Sequence, residues 1–364
     1  MTAKLVIGLM SGTSLDGVDA VLVDFSASPA QTVATFWLPY PAAIREQALR
    51  LQHPGNDELH AASLLAGDLA RCYAQAVKQL LDATDISPSQ VIAIGCHGQT
   101  VRHRPDAGYS WQINNPSLLA ELTEITVVAD FRSRDIAAGG QGAPLVPAFH
   151  AEVFGVKESH RVILNIGGIA NVTDLNPCQP VRGFDCGPGN LLMDAWIEVN
   201  KGLQYDKDGQ WAGQGTRLPA LLEKLLAHDF FRVVPPKSCG REEFNMRWLS
   251  QFLDGNENPT DVQATLLELT AVTTAQAIQQ RCGSPDEIFV CGGGVHNASL
   301  MGRLSHHLPT CRIASTDFLG QPPDWVEAVA FAWLAWRTVN RQPGNLPAVT
   351  GACAPRILGA IYPA

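Results

Sequence analysis

Apolar residues along this chain recur in two rhythms, and their alternation reads as α/β. Leu5–Met10, Ala20–Phe25 and Ala34–Pro39 are short apolar or alternating runs bounded by Gly, Ser and Pro, which predicts three strands. Helical spacing takes over at Ala42–Gln52 and Glu58–Ala83. Val91–Gly95 then returns to an apolar strand that leads into Cys96-His97-Gly98-Gln99-Thr100. A further strand is predicted at Thr126–Asp130, before the turn Arg132-Ser133-Arg134-Asp135.

The run Gly139-Gly140-Gln141-Gly142-Ala143-Pro144 interrupts both rhythms and marks a crossing between domains. Beyond it the opening device starts again. Arg161–Thr173 is a strand, a Gly167-Gly168 turn and a second strand, as Leu5–Phe25 is around Ser11–Gly17, so one topology is expected twice. Helices at Leu191–Val199, Thr216–Ala227, Asp261–Gln280 and Trp325–Asn340 and strands at Glu287–Cys291 and Cys311–Ala314 follow. The last of these helices is apolar, ringed by aromatics and expected to be buried, and the Pro- and Gly-containing stretch from Pro343 to Ala364 reads as an ordered strap. The boundaries implied are 1–137 for an N-terminal domain, 138–340 for a C-terminal domain, and a tail, 341–364, packing back on the first.

Size agrees, since 364 residues exceed what one core usually serves. A content of 46% hydrophobic and 17% charged residues excludes a disordered or collagen-like chain. The net charge of -9, with Lys and Arg scattered, argues against a nucleic-acid partner and requires any anionic ligand to be met by local donors. Nine dispersed cysteines without a CxxC pair indicate neither a zinc site nor a disulfide framework and fit a reducing compartment. No apolar run reaches about 18 residues, and the first strand is too short for a signal peptide, so a cytoplasmic protein with no membrane partner is expected.

The first turn, Ser11-Gly12-Thr13-Ser14-Leu15-Asp16-Gly17-Val18-Asp19, joins small residues, hydroxyls and two acids after a buried strand, a composition suited to cradling phosphates. Asp16 could hold Mg²⁺ through its water shell. Asn165, Gly167 and Gly168 offer the same chemistry in the second copy. Gly292-Gly293-Gly294 would let backbone approach a nucleotide base or ribose where a Cβ would collide. Each turn alone is as readily a tight loop without a ligand; three at strand ends are harder to dismiss. No Walker P-loop and no dinucleotide fingerprint at the first strand occurs.

Asp185, in Gly183-Phe184-Asp185-Cys186-Gly187-Pro188-Gly189-Asn190, is read as lying where a strand ends and a helix is about to begin. An arbitrary Asp there would more often cap a turn, yet beside three phosphate-type turns it becomes the candidate acid that deprotonates a nucleophile in phosphoryl transfer. His97, Gln99 and Thr100 follow one strand and Arg132 and Arg134 another. Both groups are expected at carboxyl edges of one sheet, where they could meet a sugar or a carboxylate or be ordinary core and surface residues. Glu327 could face a cleft or simply favour the positive end of its helix.

Read together, Gly8–Asp19, His97-Gly98-Gln99-Thr100, Gly139–Pro147, Asn165–Gly168, Gly183–Asn190, Pro236–Glu242, Gly292–Gly294, Glu327-Ala328 and Leu358-Gly359 resemble the anhydro-N-acetylmuramic acid kinase family over essentially the whole chain. The resemblance implies two RNase-H-like domains of the actin/hexokinase ATPase type, with ATP and Mg²⁺ in the interdomain cleft and the C-terminal domain binding nucleotide. It implies hydrolytic opening of 1,6-anhydro-N-acetylmuramic acid coupled to O6 phosphorylation in cell-wall recycling. Asp185 would then be general base, Ser11–Asp19 the ATP-phosphate loop, and Thr100, Arg134 and Glu327 sugar contacts, with a homodimer as a family expectation. The rival readings are an ordinary amino-sugar kinase acting on a free hydroxyl, and a non-catalytic nucleotide or sugar sensor.

Overall fold

The computed structural model describes residues 3–12, 15–27, 29–235, 237–241 and 243–364. Strand β1 (Leu5–Met10) is buried at every position, as a central strand covered on both faces must be, and β2 (Gly17–Asp24) runs antiparallel to it. β3 (Gln31–Pro39) pairs with β2 at the sheet edge, and its side chains alternate between half-buried and exposed. Helices α1 (Ala42–Arg50) and α2 (Glu58–Asp82) carry the chain over to β4 (Val91–Cys96), which lies parallel to β1. A hairpin of β5 (Gln99–Arg104) and β6 (Tyr109–Ile113) forms its own small sheet. Then come α3 (Pro116–Thr123), N-capped by Asn115, and β7 (Val127–Ala129), parallel to β4. α4 (Ser133–Ala137) and α5 (Val146–Phe154) end this stretch.

The same device then repeats. β8 (Arg161–Ile166), β9 (Ile169–Leu175) and β10 (Arg182–Pro188) form an antiparallel meander, followed by α6 (Leu191–Lys201), α7 (Pro219–Leu226), the short α8 (Met246–Leu249) and α9 (Pro259–Arg281). β11 (Glu287–Cys291) lies parallel to β8, and after α10 (Ala298–His307) β12 (Arg312–Ser315) lies parallel to β11. The order is β10-β9-β8-β11-β12. It matches β3-β2-β1-β4-β7 in the first sheet position for position, the duplication expected from the sequence.

The chain finally returns to the first sheet. α11 (Val326–Val339) packs on β1 and β4, α12 (Pro347–Thr350) follows, and β13 (Ala360–Tyr362) pairs antiparallel with β7. Two units result, Met1–Val153 with Trp325–Ala364, and Phe154–Asp324. The breaks read from sequence, at 137/138 and 340/341, fall elsewhere for a physical reason. Phe149 of α5 packs edge-on against Trp333 of α11 and Glu152 accepts from the Trp333 indole at 2.9 Å, so both helices join the first core.

That helix lies unusually close to its sheet. A Cβ added at Gly8 would sit 1.9 Å from the Ala328 carbonyl oxygen, and one at Gly95 2.1 Å from that of Phe331. Two consequences can be measured. Gly8→Ala must push the helix away or strain the strand and should cost about 1–3 kcal/mol or more in urea unfolding, whereas Gly55→Ala, with open space around it, should stay within about 0.5 kcal/mol. Secondly, His150 on α5 is buried, which pulls its pKa down to about 3. Between that value and the ordinary 6.5 the unfolded chain binds a proton that the folded one does not, so stability falls as pH drops below 6.5. His150→Gln should remove about 1.4 kcal/mol per pH unit from the slope of unfolding free energy between pH 6 and 4.

Candidate active site

Parallel strands β1, β4 and β7 end side by side, and their carboxyl ends deliver Ser11–Gly12, His97–Gln99 and Arg132 to one place. The His97 amide continues the ladder, donating to Leu9 O at 3.1 Å. Ser11 Oγ is hydrogen-bonded to the buried Tyr73 hydroxyl at 3.0 Å and donates to Gly98 O at 3.3 Å, while Gln99 Nε2 donates to Gly12 O at 3.3 Å. The first Gly turn and the His97–Gln99 turn therefore brace each other. Gln99 Oε1 is buried with no hydrogen-bond partner among the described residues, an acceptor that a ligand donor could use.

Arg132 donates from Nε and Nη2 to His97 Nε2, at 3.2 and 2.9 Å. Burial, and then the charge of Arg132, hold the His97 pKa well below 6.5, so the ring is neutral and the network assigns its proton to Nδ1. Burial also lowers the Arg132 pKa to about 10, against the opposing charges of Glu327 and Asp135. Burial raises the pKa of Glu327, in the first turn of α11, while Arg132 works the other way. Phe331, a helical turn beyond Glu327, packs its ring 4.5 Å from that of His97. The residues pointed to Arg132 and Arg134 alike, and the resemblance to Arg134 as a sugar contact; Arg134 is exposed on α4, while Arg132 is half-buried and reaches His97.

Asp16 is exposed, its carbonyl accepting from Tyr40 N at 2.9 Å, and Leu15 before it adopts φ 57°. Thr13 and Ser14 lie outside the described residues. Gly17, Val18 and Asp19, read as the end of the loop, already belong to β2, and Val18 is buried in the core. Thr100 is on β5, its hydroxyl accepting from Gln112 Nε2 at 3.2 Å.

In the second unit, the Gly167-Gly168 turn docks on the corner before α6. Gly167 O accepts from Asn190 N and Gly168 O from Gly189 N, both at 2.8 Å. Thr270 Oγ1, from α9, is within 3.0 Å of Pro188 O and 2.9 Å of Gly189 O and holds the corner from behind. Gly292 has φ 78°, and a Cβ there would strike Asn165 Oδ1 at 2.4 Å; one at Gly294 would strike Ile166 Cγ2, also at 2.4 Å. Gly293 has open space, with Asn190 Nδ2 nearest at 3.9 Å. The structure thus brings Asn165, Gly167, Gly168 and Gly292–Gly294 together at the carboxyl ends of β8 and β11, adding Asn190 and Thr270, which the sequence did not single out.

Asp185 is not at a strand end. It lies inside β10, opposite Asn171, because pairing resumes after a bulge at Cys186 and carries the strand to Pro188. Its amide donates to Lys237 O at 3.2 Å, and its Oδ2 accepts from Cys239 N at 2.9 Å, so the segment around Lys237–Cys239 acts as a further edge that orients the carboxylate. Pro236 and Glu242 of that segment lie outside the described residues. A cavity of about 680 Å³ beside it is lined by Lys224, His228, Phe230, Lys237 and Ser238 and by none of the Gly-turn residues.

A family model described as anhydro-N-acetylmuramic acid kinase matches residues 4–364. The anhydro-N-acetylmuramic acid kinase of Thiobacillus denitrificans is 56% identical over 366 residues, covering 100% of this chain and 98% of that relative. The one of Nitrosospira multiformis is 55% identical over 366 residues, covering 100% of each. Component A of (R)-2-hydroxyglutaryl-CoA dehydratase from Acidaminococcus fermentans matches in structure with a TM-score of 0.51 at 12% identity, over 93% of this chain and 99% of that one. That likeness concerns the fold, which with its duplicated sheets is of the actin/hexokinase type. Both the family match and the identities span the full length, and on them the chain belongs to the anhydro-N-acetylmuramic acid kinase family.

Proposed function

We propose that the chain converts 1,6-anhydro-N-acetylmuramic acid, ATP and water to N-acetylmuramic acid 6-phosphate and ADP. It is a kinase by family, and the family's name carries the sugar. One observation supports the division of labour: each unit presents a polar cluster at the carboxyl ends of the parallel strands of an equally ordered sheet, the usual ligand position in α/β folds.

In this reading the second-unit cluster takes the nucleotide, with the Asn165–Gly168 turn facing phosphates and Gly292–Gly294 against the base or ribose. Ser11, Gly12 and the loop to Asp19 donate to phosphate oxygens. His97, Gln99, Thr100, Arg134 and Glu327 are assigned to the sugar, with Arg132 holding His97. Asp185 takes a proton from water as its oxygen bonds to C1; the C1–O6 bond breaks, O6 attacks the γ-phosphorus, and the bond to the ADP oxygen breaks. The second proton of the water stays on the new anomeric hydroxyl.

Mg²⁺, when bound, neutralises charge on the β- and γ-phosphates. Asp16 would hold it through water, and the donor set fits, because Mg²⁺ commonly takes only one or two carboxylates beside waters and phosphates. No group of three or more His, Cys, Asp or Glu able to cage a metal occurs among the described residues. We place the reaction in the cytoplasm: no described helix is long and apolar enough to cross a membrane, and no disulfide joins the nine cysteines.

Asp185→Asn should lower kcat by about 10² to 10⁴ with ATP affinity nearly unchanged; near-normal turnover would remove the base assignment. In ¹⁸O water the wild-type product should carry label at C1. A product with its anhydro bridge intact would mean an ordinary kinase, and binding of both ligands without ADP release would mean a sensor. Thr270→Val leaves the Pro188 and Gly189 carbonyls without their hydroxyl, and should raise KM for ATP several-fold while KM for the sugar stays near wild type.

A further inference from the structure

Behind the first-unit cluster lies a buried polar knot that the proposed reaction does not use. Asp135 is 0% exposed, and the groups that hydrogen-bond its carboxylate are neutral. Gly142 N donates to Oδ2 at 2.8 Å, and Asn345 Nδ2 and Thr350 Oγ1 donate to Oδ1 at 2.6 and 2.7 Å. Asn345 and Thr350 come from the returning tail and are themselves buried, at 4% and 1% exposure. Main-chain bonds reinforce the junction: Gln141 N donates to Thr350 O and Cys353 N to Ala138 O, both at 2.8 Å, and Arg356 N donates to Asn345 Oδ1 at 2.6 Å.

The Gly142 residue links this knot to the site. Its amide is held by Asp135, and its carbonyl accepts from Arg132 Nη1 at 2.8 Å, the arginine whose other nitrogens fix His97. The turn is shaped for that approach. A Cβ at Gly140 would lie 2.2 Å from Asp135 Oδ2, and Gly142 sits at φ +67° with Ile136 2.8 Å from where its Cβ would be. Asp135 also favours the cationic form of the half-buried Arg132. A carboxylate stripped of water this completely is costly to leave short of a donor, so the tail and the turn are locked as one piece.

We infer that Asp135, Asn345 and Thr350 are positioning residues for sugar binding: the tail of the chain, acting through Asp135 and Gly142, sets where Arg132 holds the His97 ring. The inference rests on the assignment of His97 to the sugar.

The test uses the full chain with Thr350→Val, Asn345→Ala and the conservative Thr350→Ser, comparing steady-state kinetics with ¹⁵N signals of the labelled histidine rings, His97 being assigned by its loss in His97→Gln. Thr350→Val and Asn345→Ala should raise KM for the anhydro-sugar roughly tenfold while kcat and KM for ATP stay near wild type, as for loss of a uniform binding contact. Both should also move the His97 ring signals, and Thr350→Ser should restore kinetics and signals together. Variants that melt earlier yet keep the sugar KM and the His97 signals would overturn the inference and leave the knot as an anchor for the tail alone. A wild type inactive on the sugar, with His97 signals that still move, would remove the proposed substrate but uphold the link from tail to ring.

Discussion

The closest backbone approach described in the first unit, helix α11 against β1 and β4, is also what the site depends on. Gly8 and Gly95 present only hydrogen to the helix, and the facing residues Ala328, Ala332 and Ala335 are small. This lets main chain meet main chain, and it is how Phe331 reaches the His97 ring and Glu327 comes within electrostatic range of Arg132. Any side chain on either glycine would lift the helix, and with it one wall of the polar cluster. Packing and chemistry here are a single constraint.

Around that contact the fold distributes its donors in a way suited to an acidic chain. A net charge of -9 offers phosphates no general attraction, and under the proposed reading the clusters rely instead on glycine-rich main chain and on single, well-braced side chains. The second unit shows this most plainly. Its turns interlock through carbonyls and amides, Asn190 and Thr270 clamp the corner, and Gly292 and Gly294 fit only because nothing projects from them. Asp185 follows another rule, held by main-chain bonds from a neighbouring segment.

Much of this was legible in the residues. The buried strands Leu5–Met10, Val91–Cys96 and Glu287–Cys291 carry strong apolar runs, and the duplicated strand-turn-strand device predicts two sheets of one topology. What could not be read is what depends on distant pairing. The β5–β6 hairpin is short and half polar. The assignment of α11 to the first unit rests on a glycine contact that spans most of the chain. Arg132 and Arg134 are indistinguishable as letters, and only the register of a short helix decides which of them turns inward. Likewise nothing local marks Asp185 as mid-strand, since the bulge at Cys186 that prolongs β10 is created by its partner β9.

The first unit is written in two pieces, with the second inserted whole between them. During synthesis on the ribosome, Gly8 and Gly95 emerge long before the helix that covers them, and β7 likewise long before β13. The inserted unit, by contrast, is continuous and can complete its sheet as soon as β12 is made. Translation therefore favours an order in which the later-starting half matures first, while the opening strands stay uncapped and exposed to chaperones or to aggregation until α11 has left the tunnel.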